Sequence, residues 1–267
     1  FSLTYQNTST QKIQLPSNLN RLSNLKELNL RDLDIALFSG YEELTKLERL
    51  RLSNLTWGRI PQTSNQWPKL KELDLFEVSI RGQFPDIFEG MDSLETIYIG
   101  KTELPTIAQQ RLYKAPQLQE LTLSHCEMGE IPDEIGNLSR LKKLIIITDQ
   151  NTLNTPINLP KTIENLHQLE SIYISTNTDQ FPLGLLKLQD SLEDITIKDK
   201  IGSIPPEIGD FIALKSLNLQ DCGLTALPPE IEKLSQNLQV LRLSNNNFDA
   251  STQAQIKAWL PNTEVSF

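Results

Sequence analysis

Ten times along this chain the same order returns: leucine, two variable residues, leucine or isoleucine, one variable residue, leucine or isoleucine. The ten units begin at Leu25, Leu47, Leu70, Leu94, Leu118, Leu141, Leu169, Leu192, Leu214 and Leu238, so successive starts are 22, 23, 24, 24, 23, 28, 23, 22 and 24 residues apart. Within a unit, apolar residues two apart, such as Leu28 and Leu30, face one side of a short strand while their neighbours face the other. A single turn of this length cannot bury its own leucines, but stacked turns can, and their strands then join one parallel sheet. The spacing therefore predicts an α/β repeat solenoid, with a parallel β-sheet on one face and short helical or extended turns on the other. Residues 1–24 read as an incomplete first coil, 25–248 as ten registered repeats and 249–267 as a capping helix and strand.

Prolines mark the return path of each coil. Pro16, Pro61, Pro85, Pro132, Pro160 and Pro205 lie nine residues before the next first leucine, and Pro182 and Pro228 lie ten before. A fixed φ and a missing N–H suit an extended bend. Apolar residues three apart after it, such as Ile135 and Leu138, predict a helical turn with one side on the core. At the C-terminus, Ser251 or Thr252 is the expected N-cap of a helix stopped by Pro261. Ile256, Trp259 and Leu260 are expected to cover the last coil, and 264–267 to close the sheet edge.

These features resemble the leucine-rich repeat family over nearly the whole chain. The resemblance implies a horseshoe with the sheet on its concave face. Gly58-Arg59-Ile60-Pro61, Gly82-Gln83-Phe84-Pro85, Gly129-Glu130-Ile131-Pro132 and Gly202-Ser203-Ile204-Pro205 resemble the convex signature of plant cell-surface members. Leu227-Pro228-Pro229-Glu230-Ile231 and the C-terminal ending are more similar to bacterial members. The family's usual loop asparagine is replaced in most units. Its ten places hold Leu33, Leu55, Val78, Thr102, Cys126, Asp149, Asn177, Lys200, Cys222 and Asn246. Loops without it must find other partners, so looser loops are expected in repeats six to eight, with an insertion over 148–160. Cys126 and Cys222, four repeats apart, are too distant to bridge and are expected to be buried thiols.

Residues that carry chemistry do not converge. His125 lies between Ser124 and Cys126, but adjacent strand residues point to opposite faces, so no triad is expected. No phosphate loop, His-Glu metal motif or calcium loop occurs. The reading is a non-enzyme without catalytic residues, metal or cofactor. Its 34 acidic against 25 basic residues disfavour nucleic acid, and no apolar run long enough for membrane insertion is present. Sequons stand at Asn7, Asn54 and Asn137. Lacking disulfide-bonded caps, the chain is expected to be bacterial, monomeric and extracytoplasmic (cell envelope or secreted), with its export signal outside these residues.

The remaining surface is the variable side of the sheet, which falls into three columns. Phe76, Tyr98, Ile145, Ile147 and Tyr173 cluster there in repeats three to seven, with Arg51, Lys101, Lys198 and Arg242 toward the rim. Thr148, Thr176 and Asp199 fall in the outermost column. Exposed aromatic residues in a concavity are suited to anchor protein interfaces. The expected function is protein–protein interaction, with a protein or peptide held on the concave face. A plant-type receptor or enzyme-inhibitor ectodomain and a structural spacer are the alternatives.

Overall fold

Rows of leucine in register hold the strands together. The computed structural model describes residues 2–6, 21–33, 43–57, 67–80, 86, 88–148 and 158–267, in two units, 1–141 and 142–267. Pro16, Pro61, Pro85, the runs at 58–61 and 82–85, Asn7, Asp149 and the 149–157 part of the expected insertion lie outside the described residues.

In the first unit the strands are β1 (Ser2–Gln6), β2 (Glu27–Arg31), β3 (Arg49–Trp57), β4 (Glu72–Ile80), β5 (Thr96–Gly100) and β6 (Glu120–Ser124). They pair in parallel in chain order, and Leu28, Leu50, Leu73, Ile97 and Leu121 form one buried row. The second unit holds β7 (Lys143–Ile147), β8 (Ser171–Ser175), β9 (Asp194–Ile197), β10 (Ser216–Asn218), β11 (Val240–Arg242) and β12 (Glu264–Ser266). Its corresponding row is Leu144, Ile172, Ile195, Leu217, Leu241 and Val265. The architecture is the repeat solenoid that the spacing predicts.

Pro132, Pro160, Pro182, Pro205 and Pro228 each sit immediately before a 3₁₀ turn, with φ between −66° and −74°. Each is pre-set for that junction and has no N–H to leave unpaired. Between β5 and β6 the turn is a true helix, α1 (Thr106–Leu112), entered from Pro105. Its Gln109 is fully buried, donates to the carbonyls of Leu104 and Glu130, and accepts from the buried Tyr113 hydroxyl at 2.9 Å.

The loops after the strands correct two expectations. Asp32, Asn54, Glu77, Lys101, His125, Asp221 and Asn245 all take φ of 46° to 62°, so the same left-handed step recurs coil after coil. In coil seven that step falls on Asn177 rather than Thr176. With the left-handed step one position later, Asn177 faces outward and Thr176 inward, and in coil eight Lys200 is exposed while Asp199 is buried. Thr148, too, is buried rather than on the open face.

Nor are the loops short of partners. Asn246 donates to the Leu219 and Leu243 carbonyls and accepts from the Leu224 N–H. Where asparagine is missing, other side chains reach the same backbone. Cys126 and Cys222 donate S–H to the carbonyls of Ile99 and Ile197. Thr102 donates to Gly100 and accepts from the Val78 N–H. The Asp199 carboxylate accepts from the Thr176 and Asn177 N–H groups at 2.9–3.0 Å. That contradicts a loose loop in repeat seven: a buried acid from the next coil holds it. Both cysteines are free thiols.

Helix α2 (Ala250–Trp259) is capped by Asp249, whose carboxylate accepts from the Thr252 N–H at 2.7 Å. Ser251 and Thr252, the expected caps, instead lie inside the first turn. Ile256 and Leu260, four apart and thus on one face, are buried, whereas Trp259 is only half-buried. The apolar cover of this coil therefore comes from the two aliphatic residues.

Candidate interaction surface

Strands β4 and β5 are regular enough to carry side chains alternately inward and outward. Outward residues pair across them as Asp74 with Tyr98 and Phe76 with Gly100. Gly100 decides what happens next. A Cβ there would meet the Tyr98 hydroxyl at 2.7 Å and Phe76 Cδ2 at 2.8 Å. Because position 100 has no side chain, the Tyr98 ring leans along its own strand over the backbone and Phe76 leans across from β4. Their centroids are 6.5 Å apart with 27° between ring planes, an offset stack. Both stay half-exposed.

Lys101 joins this pair. Its ammonium lies 5.3 Å from the Phe76 ring centroid and 3.0 Å from Glu77 Oε1. Arg51, also exposed, lies 3.8 Å from Glu72 and 3.9 Å from Asp74. Arg49 pairs with Glu27 and, at 2.8 Å, with Glu72. Burial pushes the Asp74 carboxyl above the usual carboxylate range, against the pull of Arg51.

In the second unit, Ile145 and Tyr173 are register partners on β7 and β8, both half-exposed, and Ile147 stands opposite Ser175. Burial, then the nearby Asp199, raises the Tyr173 phenol. Lys198 donates to Gln220 at 3.1 Å and approaches Asp221 at 4.0 Å. Arg242 is exposed on β11, in register with Asn218 and Ser266. The structure thus brings Phe76, Tyr98 and Lys101 together in one unit, and Ile145 beside Tyr173 in the other. Gly100 and Asp74 were not singled out by the sequence columns. The one signal was that Gly100 leaves a gap beside Phe76.

Ser124 and His125 differ from expectation. Ser124 Oγ lies 2.9 Å from His125 Nδ1, because the positive φ of His125 turns its ring out of the strand alternation and back toward Ser124. No group of three metal-ligating residues occurs among the described residues, and none of their helices is long and apolar enough to cross a membrane.

Comparison with known proteins gives one consistent likeness. Leucine rich repeat family models match residues 62–128, 213–234 and 237–259. The human volume-regulated anion channel subunit LRRC8B is 26% identical over 208 residues, covering 77% of this chain and 23% of that protein. The chain therefore spans less than a quarter of that relative. Among solved structures, the Drosophila Toll–Spätzle complex aligns with a TM-score of 0.70 at 19% identity, covering 87% of this chain and 35% of that one. An internalin from Listeria monocytogenes aligns with a TM-score of 0.61 at 18% identity, covering 100% and 86%. At these identities the structural likeness establishes the fold.

Proposed function

Because the chain is a leucine-rich repeat protein, we propose that it serves as a non-enzymatic interaction module, binding a protein or peptide on the solvent face of its sheet. The observation that carries this reading is the Phe76–Tyr98 stack laid over Gly100. Two half-exposed aromatic rings held in place before binding offer apolar area at little further entropic cost. Tyrosine is moreover enriched among residues that dominate interface energies. The Toll structure, whose fold this chain shares, is a complex with Spätzle, which supports a macromolecular ligand. In the second unit, Ile145 and Tyr173 form an apolar patch of their own. Arg51 and Lys101 in the first unit, and Lys198 and Arg242 in the second, would each orient a partner on their own unit, although the first three already face protein carboxylates or amides.

Hydroxyl-radical footprinting of the chain with a partner captured by affinity purification tests the location. Phe76 and Tyr98 are expected to become protected, while Ile107, 56% exposed on α1, continues to be oxidised. Protection of Ile107 with Phe76 and Tyr98 unchanged would move the binding surface to the turns.

A further inference from the structure

We propose that the partner presents an arginine to this surface, its guanidinium stacked on the Phe76–Tyr98 rings and bonded to the Asp74 carboxylate; this rests on the interaction-surface reading above.

Three observations converge on that chemistry. First, the two ring planes lie within 27° of parallel, their centroids 6.5 Å apart, with no side chain at Gly100 to part them. Flat aromatic faces accept planar groups by stacking. Second, a cation already lies against one of them: the Lys101 ammonium is 5.3 Å from the Phe76 centroid. The electron-rich ring face attracts positive charge. Lys101 is tied to Glu77 at 3.0 Å on one flank, which leaves the Tyr98 ring for an incoming group.

Third, the charges beside Tyr98 do not balance. Glu27, Glu72 and Asp74 share two guanidiniums, Arg49 and Arg51. Arg49 pairs with Glu27 and Glu72. Arg51 divides itself between Glu72 at 3.8 Å and Asp74 at 3.9 Å, both beyond hydrogen-bond length. Asp74 is therefore the carboxylate with the weakest partner, and it stands in register with Tyr98 on the adjacent strand. Burial that raises its carboxyl group is consistent with incomplete compensation. A third guanidinium supplied by the partner would complete the set. Arginine suits the place better than lysine, because one planar fork can stack on a ring and bond a carboxylate together.

The test uses the whole chain, ¹³C-labelled on its aromatic rings, titrated with blocked Gly-Arg-Gly, Gly-Leu-Gly and Gly-Glu-Gly peptides. The arginine peptide is expected to shift the Phe76 and Tyr98 resonances, with its own δ-methylene protons moving upfield under the ring current. D74N should weaken it about three- to fivefold, the range of a half-exposed ion pair. Y98L, which keeps Asp74, should abolish the upfield shift. Equal response to the leucine or glutamate peptide, or an unchanged affinity in D74N, would overturn the arginine inference while leaving an aromatic docking surface standing. Silence of both rings toward all three peptides would overturn the inference too. A captured partner that then protects Phe76 and Tyr98 from radicals would show the docking surface to survive it.

Discussion

The Tyr98 hydroxyl hangs over Gly100 so closely that a methyl group at position 100 would lie 2.7 Å from it. Phe76 closes on the same spot from the neighbouring strand, so a glycine without any turn to make serves here to let two rings lie down. Gly100→Ala is expected to lift both rings into solvent. The cost to stability should stay below about 1 kcal/mol, since half-exposed rings have room to swing. Loss of the Phe76–Tyr98 cross-peaks in a NOESY spectrum, with an unchanged circular dichroism spectrum, would verify it. Intact cross-peaks in the alanine variant would refute it.

Asp199 yields a prediction in pH. Burial raises its carboxyl above 3.8, opposed by the N–H groups of Thr176 and Asn177. A raised acid holds its proton more tightly folded than unfolded, so this group's contribution is present at low pH and is lost as pH rises through the folded value. Asp199→Asn keeps an acceptor for the loop and should flatten that slope in urea titrations between about pH 3 and 7. Asp199→Ala removes the acceptor of the buried Thr176 N–H and of the part-buried Asn177 N–H and should cost roughly 2–6 kcal/mol, at about 1–3 for each. Equal stability of the alanine variant and the parent would show that the loop does not depend on this carboxylate.

The two thiols should be nearly inert in the folded chain. Burial pushes both Cys126 and Cys222 up to about 11. At pH 8 the thiolate fraction alone would slow alkylation roughly two hundredfold relative to a free cysteine. Mass spectrometry after iodoacetamide should find both labelled in urea and neither in buffer. Rapid labelling in buffer would mean that the coils open.

At the C-terminal end the aliphatic residues should outweigh the aromatic one. Ile256→Ala is expected to destabilise by about 2–5 kcal/mol, as buried truncations do. Removal of the Asp249 cap should cost about 1 kcal/mol. Trp259→Ala, acting on a half-buried ring, should fall below the isoleucine variant. Thermal melts that rank tryptophan above isoleucine would reverse this account of the cap.

What the sequence revealed, and what it did not, follows from how each feature is encoded. Leucine spacing is a local code with a fixed period, so the pairing of Leu28 with Leu50 and Leu73 could be read directly. The proline bends were legible for the same reason. Burial of Asp199 was not, because the loop of coil eight lacks the left-handed step that its equivalents Asp32, Glu77 and Asp221 take, while the leucine spacing is unchanged. The Ser124–His125 contact was hidden by a left-handed φ that a strand alternation does not anticipate. Phe76 and Tyr98 were legible as exposed aromatics. Their stacking was not, since it depends on Gly100 in the next strand and on the directions the rings take.

Whether a partner is held on the aromatic face of β4 and β5 is best decided by its affinity for a Phe76→Ala, Tyr98→Ala double variant whose fold has been verified. Truncating a buried aromatic anchor costs about 2 kcal/mol or more, roughly thirtyfold in Kd. The account predicts a loss of at least that size, with the same partner bound normally by an Ile107→Ala control on α1. Full retention of affinity by the folded double variant would contradict it.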